Sequence, residues 1–161
     1  MLNIKIINSK NIDLCINLLK ENKEDLKYFA KIGWSTEEII NQSIKESNHS
    51  IGLCAYHKLI GFIIGNMIIA DNISEYEIFI VFISNNFRKR GYASYLLNNI
   101  IENSHTHMLK RITLEASENN TRAISLYNKN KFNIIGRRKN YYLSNNIRED
   151  ALIFERILIS E

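Results

Sequence analysis

The sequence predicts a mixed α/β domain, one sheet with helices packed on both faces, and three observations carry that reading. Apolar residues recur at strand period in some stretches and at helix period in others, in the order β-α-α-β-β-β-α-β-α-β-β. Residues 75–130 run strand, helix, strand, helix, the pattern of a parallel crossover that leaves a ligand crevice at its strand ends. The 161 residues are 45% apolar and 24% charged, enough for one domain with its own core, and no repeat, linker or low-complexity block divides 1–161.

Taken in order, "NIKII" is a short first strand. From Asn11, the residues Ile12, Cys15, Ile16 and Leu19 recur at three and four positions, an amphipathic helix. A second helix follows "IGWSTEEII", where Ser35 caps and Glu38 completes a capping box. "SIGLCAYH" and "LIGFIIGNMIIA", parted at His57 and Lys58, read as a hairpin. "YEIFIVFIS" is a strand apolar enough to be covered on both faces. The helix that starts near Tyr92 puts Ala93, Leu96, Leu97, Ile100 and Ile101 on one side. "RITLEAS" is a strand, "NNTRAISLYNKNKF" a helix, and "FNIIGRRKNYYL" and "EDALIFERIL" are the closing strands.

Composition narrows the function classes. No apolar run approaches the roughly 20 residues of a membrane span, and "MLNIKIINSKNIDL" lacks the layout of a secretion signal. A soluble, cytoplasmic protein is expected. The net charge of +4 fits a generic basic surface in a chain rich in Ile and Asn better than a nucleic-acid site. Cys15 and Cys54 lie in apolar segments without C-x-x-C spacing, so buried free thiols are expected. His105 and His107 are spaced by two with no further ligand to complete a set, and no metal is expected.

Two stretches bear on chemistry. "FRKRGYAS" places three cations and a glycine between a strand and a helix start. A helix N-terminus presents unpaired N–H groups and the positive end of its dipole, and Gly91 with Ala93 allows close approach of a bulky anion. The same residues would also make an ordinary solvated turn. Glu115 ends a strand, and Asn120, Ile124 and Tyr127 share the next helix's face, which can look back toward that carboxylate. A carboxylate and a phenol meeting at a crevice suit a base and an acid, though a solvated Glu115 and a packing Tyr127 fit the pattern too.

Together the two stretches resemble the acetyl-CoA-binding region of the GCN5-related N-acetyltransferases (GNAT). "NNFRKRGYASYLL" is similar to the family's Q/R-x-x-G-x-G/A motif, and "NNTRAISLYNKNKF" to its N-x-x-A-x-x-L-Y-x-x-x-G-F segment. The tail "GRRKNYYLSNNIREDALIFERIL" and "GWSTEEI" resemble the alanine N-acetyltransferases of ribosomal proteins (the RimI type). The resemblance implies a mostly antiparallel sheet of about seven strands with a central parallel pair, flanked by about four helices. It also implies acetyl-CoA as co-substrate and a protein N-terminus, that of a ribosomal protein, as acceptor, with no membrane, nucleic acid or metal.

Residue by residue, the resemblance makes Glu115 the general base and Tyr127 the general acid. Val81, Phe82 and Ile83 offer backbone groups to the pantetheine arm and thioester. Lys89, Arg90, Gly91, Tyr92, Ala93 and Ser94 hold the pyrophosphate, while Asn120, with Tyr127, bonds the cofactor near its reactive end. Trp34, Tyr141 and Tyr142 either wall an acceptor channel, with Glu149 or Asp150 meeting basic residues in it, or pack a strand against the first helices, the reading that suits Trp34 better. Three departures touch local geometry: Lys131 stands for the usual Gly before Phe132, Ser84-Asn85 for Asp/His-Pro, and Ala93 for Gly. An α-amino group, with pKa near about 8 against about 10.4 for lysine, is the easier amine for Glu115 to deprotonate. The alternatives are the same chemistry on a polyamine or aminosugar, and, outside enzymes, an acyl-CoA sensor or an RNA-binding module.

Overall fold

In the computed structural model, which describes residues 1–25, 49–70, 73–104, 108–144 and 146–158, the first strand β1 (Leu2–Ile7) leads into helix α1 (Asp13–Glu21). Strands β2 (Ser50–Ala55), β3 (Lys58–Ala70) and β4 (Ile73–Ile83) follow as a meander. A helical turn at Asn85–Phe87 then precedes helix α2 (Tyr92–Glu102), strand β5 (Leu109–Ser117), helix α3 (Thr121–Lys129) and strands β6 (Asn133–Ser144) and β7 (Ile147–Ile157). The seven strands form one sheet in the order β1-β2-β3-β4-β5-β7-β6, with β4 and β5 as its parallel pair. The expected second helix, with Trp34, Ser35 and Glu38, lies outside the described residues, as do His105 and His107.

The β2–β3 hairpin turns at Tyr56 and His57, both with positive φ (49° and 67°), the two-residue turn whose twist matches that of the strands. Lys58, expected in the turn, is the first paired residue of β3, opposite Ala55.

Two cores flank the sheet. On one face Cys15, Leu18 and Leu19 of α1 pack against Leu59, Phe62, Ile64, Ile80 and Phe82. On the other, Leu96 and Leu97 of α2 and Tyr127 of α3 pack against Ile63, Tyr76, Ile78, Ile112, Leu114 and Phe154. Both cysteines are buried free thiols, and burial pushes that of Cys15 up to about 12. No described helix is long and apolar enough to cross a membrane.

One irregularity shapes everything downstream. The β3–β4 register steps from Gly65↔Ile78 to Ile64↔Ile80, so Phe79 is an extra residue, a β-bulge. A Cβ on Gly65 would lie 2.5 Å from the Glu77 carbonyl oxygen, so only glycine fits beside the bulge. The extra residue reverses the strand's alternation. Tyr76 and Ile78 face the α2 side before it, whereas Ile80 and Phe82 face the α1 side after it.

Candidate active site

The parallel rungs between β4 and β5 begin at Ser74↔Leu109 and end at Ile78↔Leu114, just before the bulge. Beyond that point β4 continues to Ile83 beside β3, and β5 continues to Ser117 beside β7, with no rung between them. The sheet therefore opens into a gap at the C-terminal ends of its two central strands. The Ser84 N–H donates to the Ile60 carbonyl at 2.9 Å, which fixes the phase of the β3–β4 ladder. By the alternation of an antiparallel pair, Phe82 also bonds toward β3, while Val81 and Ile83 direct their backbone groups into the gap. Of the three strand-edge residues expected to offer backbone groups, Phe82 does not. Its ring instead stacks at 5.5 Å on Phe62 in the α1-side core.

On the helix side, the gap is bordered by the turn "FRKRGYAS". Gly91 adopts φ 80° at the N-cap of α2 and supplies no side-chain cap. The first helical bond runs from the Tyr95 N–H to the Gly91 carbonyl at 2.9 Å, so the N–H groups of Tyr92, Ala93 and Ser94 have no intrahelical acceptor. A Cβ built on Gly91 meets nothing within 4 Å. The three cations before it diverge. Arg88 turns inward: it donates to the Ile83 carbonyl at 2.8 Å, pairs with Asp25 at 2.8 Å, and lies 5.6 Å from the Phe82 ring centre. It clasps the end of β4 and has no part in an anion seat. Lys89 is exposed with φ 60°, and Arg90 lies over the Phe87 ring at 5.7 Å.

The second helix on this side begins differently. The Asn120 Oδ1 accepts from the Ala123 N–H at 3.2 Å, so α3 caps itself with the side chain expected to bond a cofactor. Tyr127, 7% exposed, is wedged between Phe132 and Phe154, with ring centres at 5.9 and 5.3 Å. Asn130 at the end of α3 donates to the Ser94 Oγ at 3.0 Å and ties the two helices together at the gap.

Glu115 lies elsewhere. Ile112, Leu114 and Ala116 share the core with Tyr127, so the alternate residues Arg111, Thr113 and Glu115 face the opposite side of the sheet. Tyr127 does pack at the end of β5, beside Leu114 and Ala116, whereas the Glu115 side chain points to the other face of that strand. The two side chains belong to opposite faces of the sheet, because successive strand residues point to opposite sides. The Glu115 carboxyl is raised above its ordinary value by burial; the Arg138 guanidinium, 3.0 Å away, lowers it, and the charge of Glu77 raises it further.

On this same face the Arg138 guanidinium lies 5.2 Å from the Tyr141 ring centre, and Tyr141 packs edge-on against Tyr142 at 5.1 Å. Tyr142 is buried opposite Glu149, which accepts a hydrogen bond from the Ser117 hydroxyl. Asp150 accepts from the Asn140 N–H at 2.8 Å and pairs with Arg137 at 2.9 Å, and these partners lower its pKa. Trp34 is outside the described residues, and among those residues no group of three or more His, Cys, Asp or Glu is placed to hold a metal.

Residues 15–132 match the model of the acetyltransferase (GNAT) family. The chain belongs to the GNAT acetyltransferase family. The [ribosomal protein bS18]-alanine N-acetyltransferase of Salmonella typhimurium is 32% identical over 81 residues, which are 50% of this chain and 55% of that protein. The match thus spans about half the length of this curated relative. In structure the chain is similar to the ribosomal-protein-S18-alanine N-acetyltransferase of Escherichia coli, with TM-score 0.76 at 20% identity over 100% of this chain and 96% of that one. It is also similar to Arabidopsis thaliana NAA60 in complex with acetyl-CoA, with TM-score 0.74 at 18% identity over 98% and 99% of the two chains.

Against the GNAT pattern, Lys131 takes on the backbone conformation of the glycine it replaces. It adopts φ 61°, its N–H reaches the Asn128 carbonyl at 3.1 Å, and the Phe132 N–H reaches that of Tyr127 at 3.0 Å. Those two bonds, with Phe132 against Tyr127, are a Schellman ending built on a lysine. Sequence reasoning missed Arg138 and Glu77 beside Glu115, the Arg88 clasp and the Asn130–Ser94 link. The "GRRKNYY" stretch contains Arg138, but nothing in its spacing says which strand lies within reach.

Proposed function

We propose that this GNAT protein is an acetyl-CoA-dependent N-acetyltransferase whose acceptor is the N-terminal amine of a protein, namely the N-terminal alanine of a ribosomal protein in the cytoplasm. The observation that carries the reading is the gap between β4 and β5, with an uncapped helix start on one face and a half-buried carboxylate on the other. The open space beside Gly91 and the unpaired N–H groups of Tyr92, Ala93 and Ser94 fit a pyrophosphate. Val81 and the N–H of Ile83 present strand-edge backbone groups that fit a pantetheine arm, and the amide of Asn120 lies at the head of the neighbouring helix.

Acetyl-CoA supplies an acetyl group already activated as a thioester. Glu115, on the opposite face, takes the proton that frees the acceptor's α-amine for attack, and burial raises its pKa, the direction that strengthens it as a base. The Val81 and Ile83 N–H groups are the donors placed to meet negative charge developing on the acetyl oxygen. Tyr127 lends its hydroxyl proton to the departing sulfur. Tyr141 and Tyr142 share Glu115's face and would line the acceptor's path, a role that the likeness to the alanine N-acetyltransferases supports.

Calorimetric titration tests the reading. The intact protein should bind acetyl-CoA, and Glu115→Ala should keep that binding while turnover on an alanine-starting peptide falls by about 10²–10⁴. An intact protein that fails to bind acetyl-CoA overturns the assignment. A polyamine turned over faster than the peptide moves the acceptor to the small amines.

A further inference from the structure

Strand β6 departs from its partner just after Arg138. Its register with β7 steps from Arg138↔Ala151 to Tyr142↔Glu149, so residues 139–141 span a space that a single residue fills on β7. Asn140 takes φ 54° there and is held from both sides: its N–H donates to Asp150, and its carbonyl accepts from Arg148 at 3.2 Å. This bulge brings the Tyr141 ring back over the Arg138 guanidinium. Toward the centre of the sheet, the same guanidinium passes over β7 to reach β5. The residue it crosses is Ala151, fully buried and too small to obstruct it.

The geometry points to Arg138 as the positioning residue of the base, holding the Glu115 carboxylate at the gap and joining it to the Tyr141 wall. The inference rests on the proposed role of Glu115. Every other charge that faces Glu115 from the described residues is negative or engaged elsewhere. Glu75 and Glu155 both bind Arg111, at 2.6 and 3.0 Å; Glu149 is bonded to Ser117; and Glu77 adds a charge that opposes ionisation of Glu115. Among the described residues, Arg138 is the cation in contact with the base. Its planar fork both pairs with a carboxylate and stacks on a ring, which an ammonium cannot do equally well.

The test is the pH profile of kcat/KM for an alanine-starting peptide, measured on the full chain for wild type, Arg138→Gln, Arg138→Lys and Glu115→Gln. With Arg138 removed, burial and Glu77 act on Glu115 unopposed, so the acid limb of Arg138→Gln should move up by about one pH unit. That is about a tenfold loss of rate at pH below both limbs, recovered on raising the pH, with acetyl-CoA binding unchanged. Arg138→Lys keeps the cation and should bring the limb back, while KM for the peptide stays raised through loss of the stack on Tyr141. An unmoved limb in Arg138→Gln, with the limb abolished in Glu115→Gln, overturns the role of Arg138 alone. A limb that persists in Glu115→Gln at its wild-type position, apart from the amine's own titration at about 8, overturns the base assignment and the inference together.

Discussion

On the helix side of the gap, the groups available to a ligand are backbone N–H donors and a glycine. On the other side they are side-chain charges, Glu115 between Arg138 and Glu77. Within the helix side there is a second contrast. α3 caps one N–H of its first turn through Asn120, whereas α2 has no side-chain cap behind Gly91. A site made of backbone donors is set once the strand and helix ends are in place, and pH does not alter it. A site made of an ion pair depends on burial, salt and every neighbouring charge. On the proposed reading, the fixed task of seating an anion falls to the backbone side and the titrating task of moving a proton to the side-chain side.

Variants on the two faces should separate cleanly. The largest effect belongs to the charged face, where Glu115→Ala should remove most turnover and leave acetyl-CoA affinity intact. Next is Gly91→Val on the backbone face. A β-branched residue at φ 80° costs about 1–2 kcal/mol and places methyl groups in the open space, so acetyl-CoA should bind at least about tenfold more weakly by calorimetry. An unchanged Kd would move the pyrophosphate away from α2.

Asn120 allows a finer separation, because its two polar atoms have different duties. Asn120→Ala removes the cap, at about 1 kcal/mol, which is about 2–4 °C in Tm. Asn120→Asp keeps the capping oxygen and loses only the amide donor. If that donor meets the cofactor, Asn120→Asp should hold its Tm and still bind acetyl-CoA less well; normal binding in both variants would leave Asn120 as a cap alone. The smallest effect is expected at Lys131. Relief of its left-handed conformation by Lys131→Gly should add roughly 1 kcal/mol, or about 2–4 °C in thermal melts, with no change in acetyl-CoA affinity or pH profile.

Much of this was legible in the sequence because it is local. The helical stripe through Leu96 and Leu97, the alternation in β5, the glycine ahead of α2 and the Asn at the head of α3 each follow from neighbours within a turn or two of chain. Arg88 shows where that reading stops. As one of three adjacent cations it looks like part of an anion site, yet the side chain of Asp25, far away in sequence, turns it inward.

The sequence by itself determined the order of the described elements, the parallel pairing of the two central strands, the family pattern from "NNFRKRGYASYLL" to "NNTRAISLYNKNKF", and the candidates for the reacting groups. Only the tertiary structure decided how those groups meet. A single extra residue at Phe79 has no mark in the apolar pattern, yet it reverses the alternation of β4 just where its rungs with β5 end. Which face a strand residue points to depends on register, and register is a property of paired strands rather than of either one. For that reason the opposed placement of Tyr127 and Glu115, and the reach of Arg138 across Ala151, could be read only once the sheet was assembled.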